Sequence, residues 1–220
     1  MTEHVEGEWK NFVFRMAKPS DYPSILEHLW TNFFPDEPLG RHIGQEETMR
    51  QDFYANVSAA LPENLSFIAV DKANGMIAGV RITVINRKGE HEELPPNTHR
   101  KSLAIRNILM KLSEDAKVFE RFPEIEHYAD FFMVSVGRDY RGYGLASEIY
   151  DRTYKMLQAM KVPLIKCVFT SPYTQRIARK TGFEEVARMK ISDWKYEDNG
   201  ELCAPNAGED EVAIAMIKNM

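Results

Sequence analysis

Residues 131–149 read FFMVSVGRDYRGYGLASEI, and no other stretch constrains the chain as tightly. An apolar run of strand character enters a turn that closes on Arg141, Gly142 and Gly144, and a helical pattern begins at once. A strand joined so closely to a helix leaves a nest of backbone N–H groups at the helix N-terminus. Those amide protons and the helix dipole together favour an anion. Glycine at 142 and 144 removes the Cβ that would hold a phosphate away, and Arg141 can add charge-assisted hydrogen bonds. Three phosphate-binding patterns compete for the stretch. A P-loop needs G-x-x-x-x-G-K-[ST], and no lysine stands at the helix start. A dinucleotide fingerprint needs a third glycine, where this chain has Ser147, and an acid closing the next strand, which here ends Val168-Phe169-Thr170. The remaining pattern is R-x-x-G-x-A, met by Arg141, Gly144 and Ala146. The plain alternative is a glycine-bearing turn with no ligand.

The flanking sequence alternates strands and helices. Residues 12–17 read as a strand, and Pro19-Ser20-Asp21 as a turn and N-cap for a helix running to about Phe33. Pro35 and Pro38 break that helix within NFFPDEPLG, and residues 45–61 read as a second helix. Residues 66–86 form the clearest hairpin, with Asn74-Gly75 between two β-rich runs. Residues 87–97 read as a solvated charged loop and residues 102–122 as an amphipathic helix. After the glycine turn come a helix over 144–160, a strand over 163–170, a short helix over 171–183 closed by Gly182, and late strands over 187–196 and 210–219. In 220 residues, 44% of them hydrophobic, there is no repeat and no low-complexity linker, so the expectation is one mixed α/β domain over 1–220.

Composition removes several classes of function. A formal net charge of −5 argues against a nucleic-acid binder, which would carry a basic face. The first thirty residues are charged throughout, and no apolar run approaches the roughly 18 residues that span a bilayer. The expected protein is soluble and cytoplasmic, with no membrane and no obligate protein partner. Cys167 and Cys203 form no C-x-x-C, and His28, His42, His91, His99 and His127 show no metal spacing.

The R-x-x-G-x-A turn resembles the pyrophosphate loop of acetyl-CoA-dependent N-acetyltransferases of the GNAT superfamily. In that family the motif follows the fourth strand, a fifth strand splays away, and a short helix ending in G-F comes next. FFMVSV, PLIKCVFT and SPYTQRIARKTGF, closing on Gly182-Phe183, match this order, as do the N-terminal strand, the PSD helix start and the 66–86 hairpin. Residues 32–40, NFFPDEPLG, further resemble the F-F-x-D-E-P-L segment of insect arylalkylamine N-acetyltransferases, which acetylate dopamine, serotonin, tryptamine and related amines. The likeness is collinear from about residue 10 to 218. It implies a GNAT fold of about seven strands, acetyl-CoA as cofactor, and a small amine as the second substrate. By the same resemblance Arg141, Gly142, Tyr143, Gly144, Leu145, Ala146 and Ser147 hold the diphosphate. The main chain at Val134, Ser135 and Val136 would hold the pantetheine arm like an added strand. Ser171 lies where many relatives carry a cofactor-contacting asparagine.

The chemistry so implied sets further requirements. An alkylamine has a pKa near that of lysine, about 10.4, so a proton acceptor must be reachable before it attacks a thioester. Glu37 is the candidate base, in a proline-kinked aromatic segment where burial would raise its pKa. Its neighbour Asp36 reads either as an attractant for a cationic amine or as a turn residue. The Val134 N–H is the candidate donor to the developing oxyanion, with a bulge at that point exposing it. Many GNAT enzymes place a tyrosine acid four residues before the glycine of G-F, where this chain has Ala178. Thr170 and Thr174 stand where the insect enzymes carry supporting serines, and threonine adds a methyl and a stiff χ1. Phe33 and Phe34 read equally as an aryl-binding wall and as core. Two other functions keep the same coenzyme: acetylation of a polyamine, lysine or peptide amine, and a CoA-binding module with little turnover.

Overall fold

In the C-terminal strand Ile214 and Met216 join one core cluster, whereas Ala213, Ala215 and Ile217 join another. That two-residue period is the mark of a strand buried on both faces, so the chain must form a sheet covered by helices on each side. The computed structural model describes residues 2–63, 65–90, 96 and 98–220. Residues 91–95 and 97 of the charged loop, with His91, lie outside the described residues.

The described strands are β1 (Gly7–Trp9), β2 (Phe12–Met16), β3 (Phe67–Asp71), β4 (Ile77–Arg87), β5 (His127–Val136), β6 (Leu164–Phe169), β7 (Glu184–Lys190) and β8 (Val212–Asn219). They form one mixed sheet in the order β1-β2-β3-β4-β5-β6-β8-β7. On one face lie α1 (Tyr22–Asn32), α2 (Pro38–Ile43), α3 (Arg50–Ala60), α4 (Arg100–Asp115) and the single turn α5 (Val118–Arg121). On the other lie α6 (Leu145–Ala159) and α7 (Pro172–Lys180). The mixed α/β reading holds, with differences of detail. The strand β1 adds an edge before the first expected strand. The expected helix over 102–122 divides at Lys117, whose φ of 46° no right-handed helix can continue through. The expected strand over 187–196 begins earlier, at Glu184, and gives way after Lys190 to a 3-10 turn, Ile191–Asp193.

The feature that positions everything else is the partial separation of β5 from β6. These strands run parallel and share only the pairs Ala129↔Ile165 and Asp130↔Lys166. Beyond Asp130 they diverge, although β5 continues to Val136 and β6 to Phe169. At that last rung the side chains close a salt bridge: Lys166, 2% exposed, pairs with Asp130 and also donates to Ser113 Oγ at 2.7 Å. A bulge follows immediately. The β4–β5 register passes from Ile82↔Met133 to Val84↔Asp130, so Phe131 and Phe132 together face Thr83. The bulge therefore lies before Val134 and not at it, where the sequence reading expected it. The extra residue is accommodated beside Arg81, a buried arginine whose guanidinium stacks 3.4 Å from the Phe131 ring.

Removing one member of a buried ion pair leaves an uncompensated charge, which costs about 3–5 kcal/mol. Asp130→Ala is expected to lower the urea midpoint accordingly, and Asp130→Leu with Lys166→Met to recover most of the loss. An Asp130→Ala midpoint equal to that of the parent protein would contradict this role.

Candidate functional site

The glycine loop is built as the sequence suggested. A 3-10 turn, Arg138–Tyr140, leads from β5, and α6 begins at Leu145. Gly142 and Gly144 adopt φ of 83° and 85°, the left-handed region where a side chain would be strained, and the space at Gly142 is open. Leu145 is 1% exposed, so its side chain belongs to the core and only its backbone faces the loop. Tyr143 stands 62% exposed.

The phase of the β4–β5 ladder decides which backbone groups face the split. Gly137 N donates to Ala78 O at 2.9 Å, which makes 133 and 135 the residues bonded to β4. The N–H and C=O groups of Val134 and Val136 therefore turn toward the side that β6 has left. Ser135 points its side chain to the opposite face, where its Oγ lies 3.1 Å from His28 Nε2.

Arg141 is engaged elsewhere than expected. Its guanidinium pairs with Asp36 at 2.8 Å and donates to the carbonyls of Asn32 at 3.0 Å and Val136 at 3.1 Å. Arg138 pairs with the other oxygen of Asp36 at 3.0 Å, and its backbone N–H donates to Asn32 Oδ1 at 3.2 Å. Asp36 is thus held between two arginines, and the bond from Arg138 before all else keeps its carboxyl below the ordinary range. In this arrangement it ties the α1–α2 turn to the glycine loop rather than awaiting an amine.

Glu37 has a different surrounding. It is the N-cap of α2, with Pro38 at the first helical position and its Oε2 accepting from Gly40 N at 2.8 Å. Gly40 is required there, since a Cβ would fall 2.7 Å from the Phe34 carbonyl oxygen. The residue is half-buried as a whole, but Oε1 is sealed from solvent and has no hydrogen-bond partner among the described residues. Burial raises the Glu37 pKa above its ordinary value, against the opposing pull of the Thr170 hydroxyl, the Gly40 and Leu39 N–H groups, and His42. Thr170 thus stands beside the carboxyl without closing a well-formed bond to Oε1. Behind them His42 Nε2 meets Glu211 Oε2 at 2.8 Å.

The remaining expected residues are dispersed. Thr174 Oγ1 donates to the Ser171 carbonyl at 3.0 Å, within the first turn of α7. Ser171 is the N-cap of α7, with no capping bond from its side chain. Phe34 is 5% exposed and stacks on Trp30 at 5.1 Å, and Phe33 packs against the same cluster. The sequence reading missed Asn32, Arg138, Gly40 and the pairs His28–Ser135 and His42–Glu211. The E-P-x-G order at 37–40 was the available signal for a capped helix start. A cavity of about 600 Å³, lined in part by His28, Met76, Gly137 and Tyr140, lies on the α1 side of the loop and does not include Glu37.

No protein-family model matches the chain. Solved structures do resemble it. Mosquito arylalkylamine N-acetyltransferase like 5b superposes with a TM-score of 0.81 at 22% identity, covering 95% of this chain and 100% of that one. Arylalkylamine N-acetyltransferase 2 of Aedes aegypti gives 0.79 at 22%, covering 96% and 99%. The Drosophila melanogaster polyamine N-acetyltransferase gives 0.73 at 15%, covering 95% and 100%. The chain has the GNAT fold. The added strand β1 shifts the numbering, so β5 and β6 are the fourth and fifth strands of the GNAT sheet.

His28 yields a pH dependence. Burial drives its pKa down to about 4, with a bond to the Ile77 carbonyl opposing and the Arg141 charge assisting. The folded protein thus binds the proton less readily than the unfolded chain, whose histidine titrates near 6.5. Stability from this residue is constant above about pH 6.5 and declines toward pH 4, by about 3 kcal/mol. Denaturant midpoints between pH 7 and pH 4 should fall less steeply for His28→Gln; parallel slopes would contradict the assignment.

Proposed function

We propose that this protein is an acetyl-CoA-dependent N-acetyltransferase acting on the primary amine of a small arylalkylamine, with Glu37 as general base. The state of Glu37 carries the reading: a carboxyl raised in pKa by burial, with one oxygen held by Gly40 and the other sealed and unpartnered beside Thr170. Raising the base narrows the gap to an ammonium near 10.4 and makes proton transfer easier. The oxygen fixed by Gly40 orients the carboxyl, which leaves Oε1 as the acceptor.

The coenzyme fits the rest of the site. Gly142 and Gly144, in left-handed conformations, let the backbone N–H groups at the start of α6 approach a diphosphate. The outward-facing main chain of Val134 and the N–H of Val136, whose carbonyl is taken by Arg141, suit the amides of a pantetheine arm lying between β5 and β6. Bound there, acetyl-CoA supplies an acetyl thioester. The Val134 N–H is suited to donate to the thioester oxygen as charge develops on it. Ala178, 1% exposed, contributes no acid, and a departing thiolate near pKa 8.5 needs little assistance.

The choice of amine rests on charge as well as on the NFFPDEPLG resemblance. A polyamine would call for several free carboxylates, yet Asp36 is occupied by Arg138 and Arg141. Of this adjacent pair, that leaves Glu37 alone without an ion-pair partner among the described residues, which matches an acceptor with one cationic end.

Glu37→Gln keeps an oxygen for the Gly40 N–H but removes the base. It is expected to lower acetyl-transfer turnover at pH 7 by about 100-fold or more, in the range of general-base effects. Coenzyme affinity, read by calorimetry, should stay within about two-fold. Turnover equal to the parent protein would remove Glu37 from the mechanism. A screen of dopamine, tryptamine, histamine, spermidine and a short peptide tests the acceptor class, and preference for spermidine would overturn the arylalkylamine reading.

A further inference from the structure

The β1–β2 turn brings a lysine to the glycine loop from the far end of the chain. Lys10 adopts φ of 51°, a left-handed conformation that glycine or asparagine would occupy at less cost. Its exposed side chain passes over the Trp9 ring, 4.3 Å from the centroid, and donates from Nζ to the Tyr143 carbonyl at 2.9 Å. Trp9 is itself seated on the loop, with Cη2 3.8 Å from where a Gly144 Cβ would stand. The ammonium is therefore held between Gly142 and Gly144, on a carbonyl rather than a carboxylate.

Several carboxylates around the loop are engaged. Glu8 pairs with Lys72, Glu148 with Arg152, and Asp36 with Arg138 and Arg141. Asp71 accepts from Asn11 and from Tyr140. The two arginines carried by the loop segment itself share the one carboxylate of Asp36, whereas Lys10 has no ion-pair partner among the described residues.

We propose that Lys10 is a phosphate-binding residue, its ammonium moving from the Tyr143 carbonyl onto the diphosphate of the coenzyme while Trp9 holds the turn against the loop. This inference rests on the acetyl-CoA reading above. It assigns to β1 and the turn after it the cationic role that the R-x-x-G-x-A pattern suggested for Arg141. A lysine serves as a point charge with rotatable donors, suited to leave a carbonyl for a phosphate oxygen. The diphosphate is the target because the ammonium already lies at the carbonyl between the two glycines.

Calorimetric titration of the full chain with CoA and with 3′-dephospho-CoA tests the assignment. Lys10→Met is expected to raise the Kd for both by roughly five- to ten-fold, the scale of one partly exposed charge-assisted bond. Lys10→Arg should restore most of the affinity. Lys155→Met, with the same change in net charge at the far end of α6, should leave binding unchanged. Parent-like affinity in Lys10→Met, an equal loss in Lys155→Met, or a loss seen with CoA but not with 3′-dephospho-CoA would each overturn the proposal. A parent protein that binds neither coenzyme would instead overturn the functional reading beneath it.

Discussion

The site depends on where β5 and β6 stop pairing, and the Asp130–Lys166 rung marks that point. An ion pair buried to this degree is a weak source of net stability, because desolvation offsets most of the attraction. What it supplies is position. Two charges that cannot be separated in the interior hold the strands together at one rung, and the bulge at Phe131 and Phe132 turns β5 away directly afterwards. A parallel pair with its ladder intact would direct the Val134 and Val136 amides into hydrogen bonds with β6. Ending the ladder early leaves them facing a gap, and the glycine loop lies at the end of the same strand.

Charge is then distributed unequally around the gap. At the loop, Asp36 is shared by two arginines and ties the α1–α2 turn to the end of β5. One residue later the chain reverses this choice. Glu37 receives no cation in direct contact among the described residues, is stripped of solvent at Oε1, and keeps a raised pKa. Adjacent carboxylates thus take opposite roles because one faces arginines and the other caps a helix packed into the core. The hydrogen-bonded turn between α1 and α2, with Asp36 N and Glu37 N both donating to the Phe33 carbonyl, makes that divergence possible.

Much of the fold was legible because it is written in local pattern. The Asn74-Gly75 hairpin, the helix over 144–160 and the strand–glycine–helix unit at 131–149 all follow from periodicity and turn chemistry over short spans. The candidate site was readable only in part. Glu37 and Thr170 are legible in the sequence and do lie side by side, yet the helix that orients Glu37 is not, because Pro38 reads as a terminator as readily as a first helical residue. Arg141 was assigned to a phosphate, and the engagement of its guanidinium by Asp36 is a contact across 105 residues with no trace in local sequence. The same applies to Lys10, which reaches the loop over 133 residues, and to β1, too short and polar to register as a strand. Position of the bulge could not be read either, since FFMVSV carries no glycine or proline to mark it.

The central claim is that the coenzyme lies along the outward side of β5 with its diphosphate at the start of α6. Amide chemical shifts in a ¹⁵N-labelled sample titrated with CoA address it most directly. The account predicts perturbations at Gly142 to Ser147, at Val134 and Val136, and at Thr170. Shifts confined to the cavity beside His28 and Met76, with the Gly142–Ser147 amides unmoved, would contradict it.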